Sequence, residues 1–402
     1  MNQQPRTSAK ALLNYGLLGW ALGAVAVPIY IQVPYLYSRF YEVPSAWVGI
    51  ILLLSRLMDA VLDPAIGLWV DRRGGKGNRY ALPLLLAVPL LLLGMAGVFF
   101  PLGSNPTEYA VSLIVVHLGY SFASIAYQAW GAELGHNDKE RSTFVAVREG
   151  VGILGVVFAV SLALETHAGL IFTVFAVMLV LGMFLLLKFS PQPDKSAQQP
   201  LGPLAQTFNN AQASAITAIR QGFADIVQPL RRRNFRKLMG VFLCNGLAAA
   251  LPATLVPFYM RDRLGLGDSD QWVLAVYFLV GAASTVFWVW LASKIGLARS
   301  WLLGMVLSIP AFIVVVLLGE GDLAGYLLVC IVTGFALGAD LSLPAALVAR
   351  LIEENGERGK TEGTYFGLWN WVNKFNLALA PSFALGTLQW FSYAPDMAKT
   401  ES

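Results

Sequence analysis

Three ionisable residues, Arg56, Asp59 and Asp63, lie within an otherwise apolar run over residues 47–70. Spaced i, i+3 and i+7, they share one face of a helix, with the two carboxylates one turn apart, about 6 Å along the axis. Two acids that close can share one cation or one proton. Asp340, in the run 326–351, and Lys374, in the run 364–388, hold similar mid-run positions. A charge at the centre of a membrane helix costs about 2.5–3.5 kcal/mol on insertion scales, so these five are candidates for ion or solute binding. The competing reading is structural pairing, with Arg56 neutralising one acid and Lys374 another. A buried pair adds little net stability to justify its presence, which favours the functional reading. For Asp340, simple neutralisation of Lys374 stays open.

A weaker pattern runs along residues 109–134. His117, Ser121, Ser124 and Gln128 recur at i, i+4, i+7 and i+11, a polar stripe that can offer oxygen ligands to a cation or line a solute path. Interhelical hydrogen bonding explains such residues as readily, and His117 by itself fits packing better. Asn370 and Asn373 flank Lys374 and are placed to hydrogen-bond a polar solute.

These residues need elements that carry them through a bilayer. The chain has 402 residues, 56% hydrophobic and 13% charged, with a mean hydropathy of +0.61. That charge fraction is about half of a soluble domain's. A hydrocarbon core of roughly 30 Å takes about 20 apolar residues per helix. Eleven runs qualify: 12–37, 47–70, 80–101, 109–134, 145–164, 170–189, 238–260, 272–292, 301–318, 326–351 and 364–388. They are continuous rather than alternating, which predicts an all-α membrane protein and excludes a barrel. The first run is too long for a signal-peptide core and reads as a span.

With the N-terminus placed in the cytoplasm, and Arg148, Lys188 and Arg350 near run ends counted with the adjoining loops, 22 of the 28 Lys and Arg fall on the cytoplasmic side and 4 outside, leaving Arg56 and Lys374 within spans. This positive-inside asymmetry explains the basic pI without a nucleic-acid partner. Cys244 and Cys330 lie in apolar runs and form no disulfide or zinc pattern. Residues 190–237 are expected outside the membrane. They start as a loop, then space Leu204, Phe208, Ile216, Ile219, Phe223 and Val227 in a near-helical pattern before the basic cluster Arg231–Lys237. This predicts either a surface helix facing anionic head groups or a linker with stop-transfer charges. The expected domains are an N-terminal bundle (1–189), this central segment (190–237) and a C-terminal bundle (238–402).

The stretch SRLMDAVLDPAIGLWVDRRGGKG, residues 55–77, resembles the span-two motif of the melibiose-permease type of glycoside–pentoside–hexuronide:cation symporters, in the major facilitator superfamily. Its tail, with Gly67, Asp71, Arg72, Gly74 and Lys76, is similar to the superfamily's loop motif between spans two and three, a latch on neighbouring helix ends. DKERSTFVAVRE (138–149) resembles the family's charged loop after span four, and TEGTYFGLWNWVNK (361–374) its span-eleven motif ending in lysine. The resemblance implies two pseudo-symmetric six-helix bundles rocking about a central site. It further implies a coupling Na⁺, Li⁺ or H⁺ held by Asp59 and Asp63 with Ser121 nearby, and a role for Lys374.

There are departures. The family's sugar-holding acids on spans one and four align with Gly23 and Ser124, which puts galactosides in question and lets Asp340 replace a lost acid from the opposite half. Eleven spans are visible, with the family's twelfth missing. The expectation is therefore a monomeric symporter of the inner membrane, using Na⁺ or H⁺ and no other cofactor. Its cation site is Asp59, Asp63, Ser121 and Ser124, and its solute site Arg56, Gln128, Asp340, Asn370 and Lys374. The solute is a sugar or glycoside, or alternatively a lysolipid or organic anion. A membrane enzyme is disfavoured, since no metalloprotease, nucleophile-elbow or phosphate-loop pattern occurs. Lone charges on separate helices do not build a channel ring.

Overall fold

The structure, a computed structural model, describes residues 8–33, 36–37, 41, 44–72, 78–103, 105–162, 164–193, 215–266 and 272–390. Among them there is no strand. The N-terminal half comprises α1 (Ala9–Val27), α2 (Ser45–Arg72), α3 (Ala81–Phe99), α4 (Pro106–Leu134), α5 (Asp138–Val160) and α6 (Leu164–Phe189). A connecting helix α7 (Ala215–Arg231) leads to α8 (Arg233–Phe258), α9 (Trp272–Ile295), α10 (Leu297–Leu317), α11 (Leu323–Ser342), α12 (Pro344–Glu354) and α13 (Glu362–Trp390). Single π-helical turns extend α1 over Pro28–Gln32 and α8 over Tyr259–Arg263. Among the described residues, eight helical stretches are long and apolar enough to cross a membrane.

The halves repeat one packing scheme. In the first, α1 packs on α5, α2 on α4 and α3 on α4; in the second, α8 packs on α13, α9 on α11 and α10 on α11. Two seams join the halves, α2 against α13 and α5 against α9, and they are equivalent under the same pseudo-two-fold. Large apolar side chains such as Val61, Leu93, Val286 and Val316 are exposed around the outside, whereas Asp59 and Asp63 are 1% and 0% exposed. Apolar residues outside and charges inside is the distribution that lipid imposes.

The α2–α13 seam depends on glycine. A Cβ at Gly67 would lie 2.1 Å from the Gly363 carbonyl oxygen, and one at Gly367 would lie 2.6 Å from that of Asp63. Backbones meet here without side chains between them, the close approach that small residues permit in membranes.

Several boundaries differ from the sequence reading. Residues 138–149 are not a loop but the first half of α5. Asn137 caps the helix by accepting from the Glu140 N–H at 2.9 Å, and Asp138 and Glu140 favour its positive end. The run 326–351 is two helices meeting at Leu343, because Pro344 cannot donate to the Asp340 carbonyl and starts a new helix instead. Of the basic cluster, Arg233, Arg236 and Lys237 belong to the first turns of α8. Within 190–237, a helix forms over Ala215–Arg231, and Arg72 of α2 pairs with its Asp225 at 2.8 Å. Leu204 and Phe208 lie outside the described residues.

Candidate functional site

At the middle of the bundle, the Lys374 ammonium of α13 reaches across to α2 and α4. Its Nζ is 2.9 Å from Asp59 Oδ2, 2.8 Å from Asp63 Oδ2 and 2.9 Å from Asp63 Oδ1. It also donates to Ser121 Oγ at 3.0 Å, and that hydroxyl donates to Asp59 Oδ1 at 3.0 Å. The one-turn spacing of Asp59 and Asp63 turns both carboxylates towards the same point, and Gly367 lets α13 approach closely enough for the lysine to reach it. Asp59, Asp63, Ser121 and Lys374 thus form one cluster, bridged by a tethered ammonium.

His117, one turn from Ser121, sits at the edge of this cluster with Nε2 3.9 Å from Asp59 Oδ2. Its Nδ1 faces the Leu113 carbonyl at 2.8 Å and so carries the proton there.

A second group lies alongside. Gln128 Nε2 donates to Asn370 Oδ1 at 3.1 Å, and Asn370 Nδ2 donates to Ser124 Oγ at 3.3 Å. Ser124 is placed with this amide pair and not among the atoms around the ammonium; its own hydroxyl donates to the Ser121 carbonyl at 3.4 Å. These residues line a cavity of about 450 Å³ between the halves, which Lys374 and Asp340 also border. An adjoining pocket of about 270 Å³ shares Ser124 and Gln128 with it. Asp340 does not neutralise Lys374. Its Oδ1 accepts from Trp301 Nε1 at 2.6 Å and Asn245 Nδ2 at 3.0 Å. The side chain of Arg56 lies outside the described residues.

Arg148 and Glu149 border both pockets. Arg148 donates to Glu149 Oε1 from Nε at 3.0 Å and from Nη2 at 2.7 Å. In the sequence this pair falls where the run 145–164 overlaps the loop-like stretch 138–149, and Arg148 counts among the cytoplasmic charges. Because α5 begins at Asp138, Arg148 instead lies roughly 15 Å along the helix, facing the cavity. The Asn137 cap was the signal that could have placed it. The alignment of a sugar-holding acid with Gly23 also has a physical limit: a Cβ there would lie 2.0 Å from the Gly152 carbonyl oxygen.

At one end of the bundle, polar contacts tie the halves together. The Asp71 carboxylate accepts from the Gly363 N–H at 2.8 Å, the Thr364 N–H at 2.6 Å and the Thr364 hydroxyl at 2.7 Å. It therefore caps the start of α13 from the other half of the molecule. Beside it, buried Arg79 contacts Glu362 at 2.5 Å, Glu133 at 3.3 Å and the Gly359 carbonyl at 2.8 Å. Burial disfavours the Arg79 charge, but Tyr80, Glu362, Asp71 and Glu133 hold its pKa well above the usual guanidinium value. Arg141 pairs with Glu353, and Arg350 with Asp138 at 3.0 Å, across the same gap. Of the expected latch, Gly67, Asp71 and Arg72 are helical parts of α2, while Gly74 and Lys76 lie outside the described residues.

Two pseudo-symmetric helical bundles, buried charged residues where they meet and a cavity between them define the major facilitator class of transporter. The chain belongs to the MFS/sugar transport protein family, whose pattern matches residues 13–402. It is 28% identical over 166 residues to "Uncharacterized symporter YjmB" of Bacillus subtilis, a match spanning 40% of this chain and only 36% of that protein. It is 21% identical over 422 residues to "Uncharacterized symporter sll1374" of Synechocystis, spanning 84% and 77% of the two chains. Among solved structures, the fucose:proton symporter FucP of E. coli shares the fold with a TM-score of 0.67 at 12% identity, over 97% of this chain and 94% of that one.

Proposed function

We propose that the protein is a cation-coupled symporter of a small polar solute, a sugar or glycoside, driven by Na⁺ or H⁺. The carrying observation is the Lys374 ammonium held within 3.0 Å of Asp59, Asp63 and Ser121 beside a central cavity. A lysine is a cation that cannot leave, so a free coupling ion gains the carboxylates only when the ammonium swings away. Asn370, one helical turn before Lys374, bonds Gln128 and Ser124 at the solute cavity. Movement of α13 therefore couples ion occupancy to the solute groups without any further relay. Related proteins named as symporters, and the fucose:proton symporter that shares the fold, support the same reading.

The solute site comprises Gln128, Asn370, Arg148, Glu149 and Asp340, and Arg56 is assigned to it from its sequence position alone. Arg56 and Lys374 are the two span-borne cations in that assignment. Asp71, Arg79 and Glu362 form the latch at the cytoplasmic end, where the excess of Lys and Arg also places the N-terminus. In this arrangement the cavity is shut towards the cytoplasm by the latch. The protein works as a monomer in the cell's inner membrane, because both faces of the site come from one chain.

Uptake of a sugar and glycoside panel into proteoliposomes, with and without an imposed Na⁺ or H⁺ gradient, tests this. Saturable accumulation that needs one of the gradients is the expected result; unsaturable flux indifferent to both would refute it.

A further inference from the structure

Among the described residues, each cation that borders the cavity already has its carboxylate. Lys374 is held by Asp59 and Asp63, and Arg148 is held by Glu149. Asp340 differs, since both its donors, the Trp301 indole and the Asn245 amide, are neutral and both bind Oδ1. Among the described residues it makes no ion pair, although it borders the same cavity. Its backbone carbonyl also lacks the usual i+4 donor, because that position is Pro344. A carboxylate in the bundle interior, oriented through one oxygen and without a counter-charge, has acceptor capacity left for a cationic donor.

The surroundings suit an organic cation. Asn245 lies one helical turn after Phe242, whose ring stacks on Trp369 with centroids 3.6 Å apart, and all three residues border the cavity. A cavity bordered by a carboxylate and an aromatic pair favours a protonated amine over a bare hydroxyl, chiefly through ion pairing.

We propose that Asp340 binds a protonated amine on the transported solute, so that the substrate class is an amino-substituted sugar or similar polar amine rather than a neutral sugar. This rests on the cavity being the solute site and assigns the chemistry of its C-terminal wall.

Binding of matched pairs, D-glucosamine against D-glucose and D-galactosamine against D-galactose, is measured on the purified full chain at one mildly acidic pH. Intrinsic tryptophan fluorescence and thermal shift are the readouts. An amine is expected to bind about tenfold more tightly than its hydroxyl twin, as charge-assisted hydrogen bonds do. Asp340→Asn, which is isosteric and still accepts from Trp301 and Asn245, is expected to erase the preference. If that variant does not fold, Asp340→Ser is read the same way. Equal affinities in both pairs, failure of both amines to bind, or a preference that survives the substitution overturns the proposal. Cation-induced stabilisation, expected to vanish in Asp63→Asn, is recorded in the same samples. Its presence without amine preference removes this inference alone; its absence together with uptake indifferent to both the Na⁺ and the H⁺ gradient removes the symport reading.

Discussion

Lys374 and Asp63 stand 311 residues apart in the chain, yet their side chains meet at 2.8 Å in the centre of the bundle. The contact joins the two halves of the molecule at the depth where charge is most costly. Removing one partner of a buried pair typically costs about 3–5 kcal/mol. Lys374→Ala is therefore expected to lower the melting temperature in cation-free buffer by several degrees. Added Na⁺ then recovers part of that loss, because Asp59, Asp63 and Ser121 offer oxygen ligands to a free ion. Thermal unfolding against Na⁺ concentration, for wild type and variant, checks this. A variant that melts lower and ignores every cation would mean that the pair is only structural.

The proposed latch depends on the Asp71 cap on α13. Asp71→Asn keeps the shape but loses the charge and one of two equivalent acceptors, a change of about 1–2 kcal/mol. The expected effect is a larger population open at the latch end. Spin labels at Lys139 and Glu354, exposed positions on α5 and α12, would show a longer-distance component growing in the variant.

Gly23→Asp is expected to fail as a restoration of sugar binding. The Gly152 carbonyl would lie 2.0 Å from the new Cβ, so α1 and α5 must separate before any carboxylate can reach the cavity. Lower expression and melting temperature, without gain of galactoside binding, is the predicted outcome. Gly23→Ala should show the same loss, because backbone approach and not side-chain chemistry is at fault.

Buried Arg148 and half-buried Glu149 form a pair that tests cleanly as a cycle. Glu149→Ala alone leaves a buried arginine without its carboxylate, at a cost reduced to about 1–3 kcal/mol because Glu149 is 35% exposed to screening solvent. The double substitution Arg148→Met/Glu149→Leu is expected to be more stable than either single truncation. Solute uptake should nonetheless be lost in the double variant, since both side chains border the two pockets. Thermal melts and uptake on the same preparations separate stability from function.

The central cluster was readable in the sequence because Asp59, Asp63 and Lys374 interrupt apolar runs, and a charge in hydrocarbon is conspicuous whatever it contacts. Two-bundle architecture followed from the number of runs and the resemblance at residues 55–77. Arg148 and Glu149 were hidden because they fall in a charged stretch that looks solvent-facing until Asn137 is recognised as the start of a helix. Asp340 was visible as a misplaced acid, but its donors were not. Asn245 and Trp301 come from α8 and α10, and nothing local to any of the three residues announces that they meet. The same holds for Asp71, whose composition suggests a loop charge and whose work is to cap a helix 292 residues away.

Gradient-driven accumulation by purified protein in liposomes, comparing wild type with Asp59→Asn and Asp63→Asn, tests the account most directly. Wild type is predicted to concentrate its solute when Na⁺ or H⁺ is higher on the solute side, and both variants are predicted to lose that accumulation. Undiminished accumulation by both would contradict the assignment of these carboxylates as the cation site.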